Sequence, residues 1–310
     1  MKPTRQRDVC VVAGVCILVA ASCVSAEPPK AATDSTAIGV ESTLYPTDYV
    51  WRDVEGAPLP FQDQATICEV LRTAPIIESE FMDRGVAGNI KVLLEHEGVR
   101  IQAVVRIIDR KERVETGSAR IDVKYRDSYI FEAAAYDLDR LLGIGRVPPT
   151  VVRPYKGHPG TIQIYMEGVA PEDIMLAEDR LHPPDPGYWW QQKTVMWVFD
   201  ALIANTDRNQ GNLLIDEEWN LYLIDHTRAF RETSALMDVQ ELNTCERQLW
   251  HAIRSLDHDE LRTAMAPYLS SKEISKLLLR HKKLIKHYEK KIKKKGEDKV
   301  LYDLKVNDEL

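Results

Sequence analysis

Asp207, Asn212 and Asp225 follow one another in a D-x4-N-x12-D spacing, two carboxylates and one amide. Magnesium prefers oxygen ligands and keeps several waters, so one carboxylate and one side-chain amide are enough from the protein. Phosphoryl transfer needs little more: divalent cations that neutralise phosphate charge, and a positioned hydroxyl or water. In such a site Asp225 would hold the metal that bridges the phosphates and Asn212 would complete a second metal position. Asp207 would orient an acceptor hydroxyl and take its proton. A plain turn is the competing reading, because Asp, Asn and Gly are common in turns. That reading does not require a further Asp at this distance after an apolar strand.

Three elements must position these side chains. An apolar helix over about Tyr188 to Ala204 leads into the polar loop Asn205-Thr206-Asp207-Arg208-Asn209-Gln210-Gly211-Asn212. The loop enters a hairpin, Leu213 to Ile215 with Leu221 to Ile224, that ends on Asp225. Arg208 is read as a structural partner that fixes the loop.

The loop resembles the N-x-D-R-x-x-x-N loop of phosphatidylinositol 3- and 4-kinases and of the toxin-type bacterial serine kinases. Leu223-Ile224-Asp225-His226-Thr227-Arg228-Ala229-Phe230 resembles their metal-binding Asp motif, with His226-Thr227 where Phe-Gly often stands. The resemblance implies an α+β, two-lobed, protein-kinase-like fold of the atypical kind: a small antiparallel-sheet lobe over residues 49–168 that binds nucleotide, and a helical catalytic lobe over 169–310. It further implies ATP and Mg²⁺ or Mn²⁺ as cofactors. Glu132 is similar to the helix glutamate that pairs with a nucleotide-binding lysine. The strand that should carry that lysine, Gln102-Ala103-Val104-Val105-Arg106, has Arg106 instead, and the two cations are not interchangeable. Arg106 does the work, or Lys91 or Lys124 reaches in from a neighbouring strand, or nucleotide binding is impaired. Gly85 and Gly88, in Arg84-Gly85-Val86-Ala87-Gly88-Asn89, are suited to a phosphate cradle of backbone amides. By the same resemblance adenine meets the backbone near Tyr165, Met166 and Glu167.

The sheet half reads as a helix from Asp63 to Arg72, a hairpin of Ile90–Glu95 with Ile101–Ile108, and a loop over Asp109 to Gly117. A helix follows from about Tyr129 to Leu142, capped by Asp127-Ser128, then a hairpin of Val151–Arg153 with Thr161–Glu167. The helical half adds helices over Gln240 to Leu256, Asp259 to Ala266 and Ser271 to Lys295. In the last of these Leu278, Leu279, Ile285, Tyr288 and Ile292 form an apolar stripe beneath a lysine-rich face, which could make weak contact with an anionic membrane. Trp190 and Trp197 are expected in the core.

The chain has 310 residues, 44% hydrophobic, with a formal charge of −7, which argues against nucleic acid as a partner. Residues 1–26 read as a signal peptide: Arg5 and Arg7, an apolar run from Val9 to Val24, and small residues at Val24-Ser25-Ala26. An exported protein is expected, or one anchored by that segment, with 27–48 as a flexible leader. Cys68 and Cys245 then remain, as one disulfide or as two buried thiols. The expected activity is transfer of phosphate from ATP to an unidentified hydroxyl on a protein, lipid or small molecule. The alternative is an exported pseudokinase, a nucleotide-binding or interaction module without catalysis.

Overall fold

Asp63 starts the first helix by accepting the Thr66 amide at 2.8 Å, and α1 (Gln64–Thr73) buries Ile67, Cys68, Val70 and Leu71. The computed structural model describes residues 49–82, 89–115 and 122–304, with backbone alone at 112–115 and 122–125. The signal peptide, the leader, Gly85 and Gly88 all lie outside the described residues.

Strands β1 (Ile76–Phe81), β2 (Asn89–His96) and β3 (Val99–Arg106) follow. The first was not expected, and its burial pattern explains why: it is an edge strand almost fully exposed, so it shows no apolar alternation. The β2–β3 turn is Glu97-Gly98, both at positive φ (51° and 80°), as a two-residue hairpin demands. Register then sorts the side chains. Ile90, Val92 and Leu94 share a buried face with Ile101, Ala103 and Val105, while Lys91, Val104 and Arg106 share the other.

The segment expected as a loop is a hairpin of β4 (Asp109–Glu115) and β5 (Asp122–Ser128). Its charged sequence lacks the alternation that marks the other strands. Asp127 and Ser128 therefore end a strand and cap nothing: α2 (Ile130–Leu141) starts at Tyr129 without a side-chain cap. The amide of Ser128 donates instead to the carbonyl of Thr227 at 2.8 Å.

After α2 the chain turns through Gly143 and Gly145, both at positive φ, into β6 (Thr150–Val152) and β7 (Thr161–Ile164). The finished sheet has the order β1-β2-β3-β7-β6, antiparallel throughout. Gly160 permits the close approach before β7, since a Cβ there would stand 2.8 Å from the Arg106 carbonyl.

A second, three-stranded sheet holds β8 (Ala170–Pro171), β9 (Leu213–Ile215) and β10 (Leu221–Leu223). Between its first two strands come the short α3 (Glu172–Ala177) and α4 (Pro186–Ile203). Asp185 caps α4, Pro186 occupies its first turn, and Ala204 ends it in the left-handed region (φ 51°). β11 (Cys245–Glu246) leads into α5 (Arg247–Ser255), which starts later than expected because Glu246 accepts the Leu249 amide and is its cap. α6 (His258–Met265) and α7 (Ser271–Lys295) follow, the latter opened by a Ser270–Glu273 capping box. β12 (Leu301–Tyr302) runs parallel to β11.

Helix α7 buries Ile274, Leu277, Leu278, Leu284 and Tyr288. Leu279, expected in that stripe, is 43% exposed, and Trp190, expected in the core, is 58% exposed. Trp190 stands edge-on to Trp197 at 5.0 Å, and Trp197, half-buried, packs against the core. Cys68 and Cys245 are buried free thiols. No described helix is long and apolar enough to cross a membrane.

The turn after α2 rests on a buried carboxylate. Asp139 accepts the Arg146 amide at 3.1 Å, and burial pushes its carboxyl up to about 7, against the pull of the Arg146, Val147 and Gly145 amides. A carboxyl raised on folding binds its proton more tightly in the native state, so stability falls as pH rises from about 4 through 7. Asp139→Asn should abolish that slope, which is of order 4 kcal/mol at most. Urea unfolding of both proteins between pH 4 and 8 checks it; parallel curves refute it.

Candidate active site

The site forms where α4, β10 and α2 converge, and its frame is a chain of buried polar side chains. Arg106 leads from β3 to Glu132 on α2, with Nε 3.3 Å from Oε1. The contact is one of charge, since Arg106 Nε makes no well-aligned hydrogen bond. Glu132 is wholly buried, and its Oε1 accepts the His226 amide at 2.9 Å while Oε2 faces His226 Nδ1 at 3.4 Å. Burial alone would raise its carboxyl, but the Arg106 charge and the His226 hydrogen bonds hold it down at about 2.

His226 passes the chain on. Arg208 Nη2 lies 2.9 Å from its Nε2. A guanidinium only donates, so Nε2 accepts and the ring hydrogen sits on Nδ1, towards Glu132. Arg208 also grips both oxygens of Asp200, at 2.9 and 3.1 Å. Its Nη1 reaches the carbonyls of Asn212 (2.9 Å) and Ile224 (2.8 Å). Arg208 thus ties the loop before β9 to the end of β10, the structural part read from the sequence.

Inside that frame the loop is set residue by residue. Asn205, 2% exposed, donates to Asp200 Oδ1 at 3.0 Å and accepts the Asp207 amide at 3.1 Å. Asn212 Nδ2 donates to the Asp207 carbonyl at 3.0 Å. Its amide oxygen is thereby turned away from that bond. Asp225 lies at φ 59°, a conformation an L-residue adopts at a cost of order 1–3 kcal/mol and one that gathers at functional sites. Thr227 Oγ1 donates to its Oδ1 at 3.2 Å. The next left-handed residue, Phe230, is pinned by its amide to the Ile203 carbonyl at 2.5 Å.

The carboxylates act on one another through charge. Burial, then the charges of Asp225 and Asp127, push the Asp207 carboxyl up. Asp127 is raised by burial and by Asp225. Arg228 spans the group: its Nη1 is 3.0 Å from Asp207 Oδ2 and its Nε 3.4 Å from Asp127 Oδ2. Asp127 and Arg228 were not identified from the sequence. Asp127 was assigned to a helix cap, and only the tertiary pairing of β5 with the segment after Asp225 brings it here. Among the described residues no cluster of three or more Asp, Glu, His or Cys stands at ligating distance. Asp225 and the Asn212 amide oxygen are hard oxygen donors, a pair that fits a magnesium ion keeping most of its water.

Lys91 does not reach Glu132; its ammonium lies 4.7 Å from the centre of the Tyr165 ring. Lys124 pairs with Arg113 in the separate β4–β5 hairpin. Arg106 is therefore the cation that meets Glu132. Glu167 follows β7; its carbonyl accepts the Tyr49 hydroxyl at 2.8 Å, and its carboxyl is raised by burial, against the pull of Lys91.

No protein-family model matches the chain, and no curated protein matches it in sequence. Solved structures do match. A structure of hydra Fam20 with sugar aligns with a TM-score of 0.57 at 15% identity, covering 79% of this chain and 93% of that one. The Golgi casein kinase aligns at 0.54 and 16% identity, covering 78% and 79%. The fold is thus α+β and kinase-like, as expected. A specific kinship with phosphoinositide kinases is not among these likenesses.

Removing one partner from a buried ion pair leaves an uncompensated charge, which costs about 3–5 kcal/mol. Arg106→Met should lose about that much in urea unfolding at pH 7, and Arg106→Lys clearly less. Because Glu132 is held low, its contribution is complete above about 4.5 and is lost as pH falls towards 2. In Arg106→Met that acid limb should move upwards. An unchanged limb would show that Arg106 is not what holds the Glu132 proton off.

Proposed function

We propose that this chain is a phosphotransferase that moves the terminal phosphoryl group of ATP, with Mg²⁺ or Mn²⁺, to a hydroxyl acceptor. The carrying observation is the loop itself: hydrogen bonds of Asn205, Asn212 and Arg208 fix Asp207 and Asn212 and tie them to the strand end before Asp225, on a frame that ends at the Arg106–Glu132 pair. Asp225 and Asn212 would hold the cation, which when bound would neutralise phosphate charge. Asp207 orients the acceptor hydroxyl and accepts its proton as the oxygen joins phosphorus and the bond to ADP breaks. Arg106 directs its fork to the phosphates while held by Glu132, a role for which a planar guanidinium is suited.

Two observations extend the reading. The fold neighbours are a Golgi casein kinase and a hydra Fam20 with sugar. With the amino-terminal segment read as a signal, they support an exported enzyme whose acceptor is a hydroxyl of a secreted protein or of a sugar.

A second reading has one contact in its favour. Arg228 engages Asp207, as it would in a chain that binds nucleotide without transferring phosphate. Under that reading wild type binds ATP and transfers nothing to any acceptor or to water.

Transfer from γ-labelled ATP to a panel of secreted proteins and sugars separates the two. Asp207→Asn should lose transfer by 10²-fold or more, the usual share of a general base, and still bind ATP. Asp225→Asn should lose the metal-dependent part of ATP binding, read by calorimetry. Transfer at the wild-type rate in both variants would refute the proposal. Arg228→Gln, which takes a positive charge from between two carboxylates, should raise Mn²⁺ affinity severalfold; unchanged affinity would show that no cation competes there.

A further inference from the structure

A cavity of about 330 Å³ opens on the sheet, within the range of small-ligand pockets. Glu78 and Glu80 from β1, Lys91 and Leu93 from β2, Gln102 from β3 and Val54 line it. Register puts Lys91, Gln102, Val104 and Arg106 on one face of the sheet, because Lys91 pairs with Val104 and Leu93 with Gln102. The cavity therefore shares a face of the sheet with Arg106. Four residues of extended strand separate Gln102 from Arg106, about 13 Å. That is the reach of a nucleoside diphosphate from the far edge of its base to its second phosphate.

Phosphates belong at the Arg106 end, where the cation and the carboxylate loop are, so the base belongs at the Gln102 end. Gln102 Oε1 is buried there and has no hydrogen-bond partner. Its backbone is fixed, since its carbonyl accepts the Tyr165 amide at 2.9 Å. A buried acceptor left unpaired costs free energy, and a ligand that donates to it recovers that cost. Diagonal to Gln102 across the ladder is Lys91, whose ammonium over the Tyr165 ring supplies a donor.

We propose that Gln102 reads the base of the nucleotide: its Oε1 accepts a hydrogen bond from the exocyclic amine of adenine, with Lys91 donating to a neighbouring ring nitrogen. The pattern of acceptor beside donor matches adenine, which places an amine next to a ring nitrogen acceptor. Guanine places a carbonyl where adenine has its amine, setting acceptor against acceptor. The inference rests on the nucleotide reading above and adds to it the selection of adenine and the residue that makes it.

The test is a calorimetric comparison on the full chain with Mg²⁺ of ATP, GTP and the triphosphate of purine riboside, which has adenine's ring without the amine. Wild type should bind ATP about tenfold or more tighter than either, the effect of one recovered hydrogen bond. In Gln102→Leu the advantage over purine riboside triphosphate should shrink to within about twofold of none, while in Gln102→Glu, which keeps an oxygen in place, it should persist. Equal binding of ATP and the amine-free analogue by wild type would overturn the assignment, as would an undiminished preference in a folded Gln102→Leu. If none of the three nucleotides binds wild type, the nucleotide reading itself is lost. That outcome is distinct from binding without discrimination, which defeats only the role of Gln102.

Discussion

A single carboxylate with no access to water, Glu132, imposes the order of the site. A charge so deeply buried persists only with partners on every side. Here they come from two separate parts of the chain: a guanidinium from β3, and the backbone amide and imidazole of His226 from the segment after β10. Those partners have demands of their own. The imidazole accepts from Arg208, and Arg208 is balanced by Asp200 on α4. The loop that carries Asp207 and Asn212 is thereby referenced to the sheet through a continuous line of polar contacts, and a shift at either end breaks a buried bond.

That line also explains where strain is tolerated. Ala204, Asp225 and Phe230 hold positive φ without being glycine, and all three flank the loop. At the last of them the Phe230 amide meets the Ile203 carbonyl. Arg280, fully buried, fixes the same region from α7 through the carbonyls of Leu202, Arg231 and Thr233. Rigidity at the loop is thus built from backbone carbonyls as much as from side-chain pairs. A transfer reaction that depends on position more than on covalent chemistry gains from that rigidity.

Arginine at position 106 shows that the residue type can differ while the electrostatic role is kept. Its guanidinium reaches Glu132 and also approaches Gln163 Oε1 at 3.5 Å, so it is steered by two elements. Arg228 plays the opposite part, since it neutralises Asp207 and Asp127 directly. The charge balance between the two sides of the cleft is therefore set by arginines in both places.

Local pattern alone was enough for the helix into the loop, the β9–β10 hairpin, the β2–β3 turn and the spacing of Asp207, Asn212 and Asp225, because each is encoded by neighbours in the chain: apolar periodicity, turn residues, a cap. Elements without such a code escaped it. The exposed edge strand β1 and the charged β4–β5 hairpin carry no alternation, and α5 begins where Glu246 can cap it, not where its apolar pattern begins. Only the tertiary structure could set Arg106, and not Lys91, beside Glu132, or bring Asp127 and Arg228 to Asp207. Those choices are made by strand register and by the cost of leaving a buried charge alone, and both are relations between residues far apart in sequence.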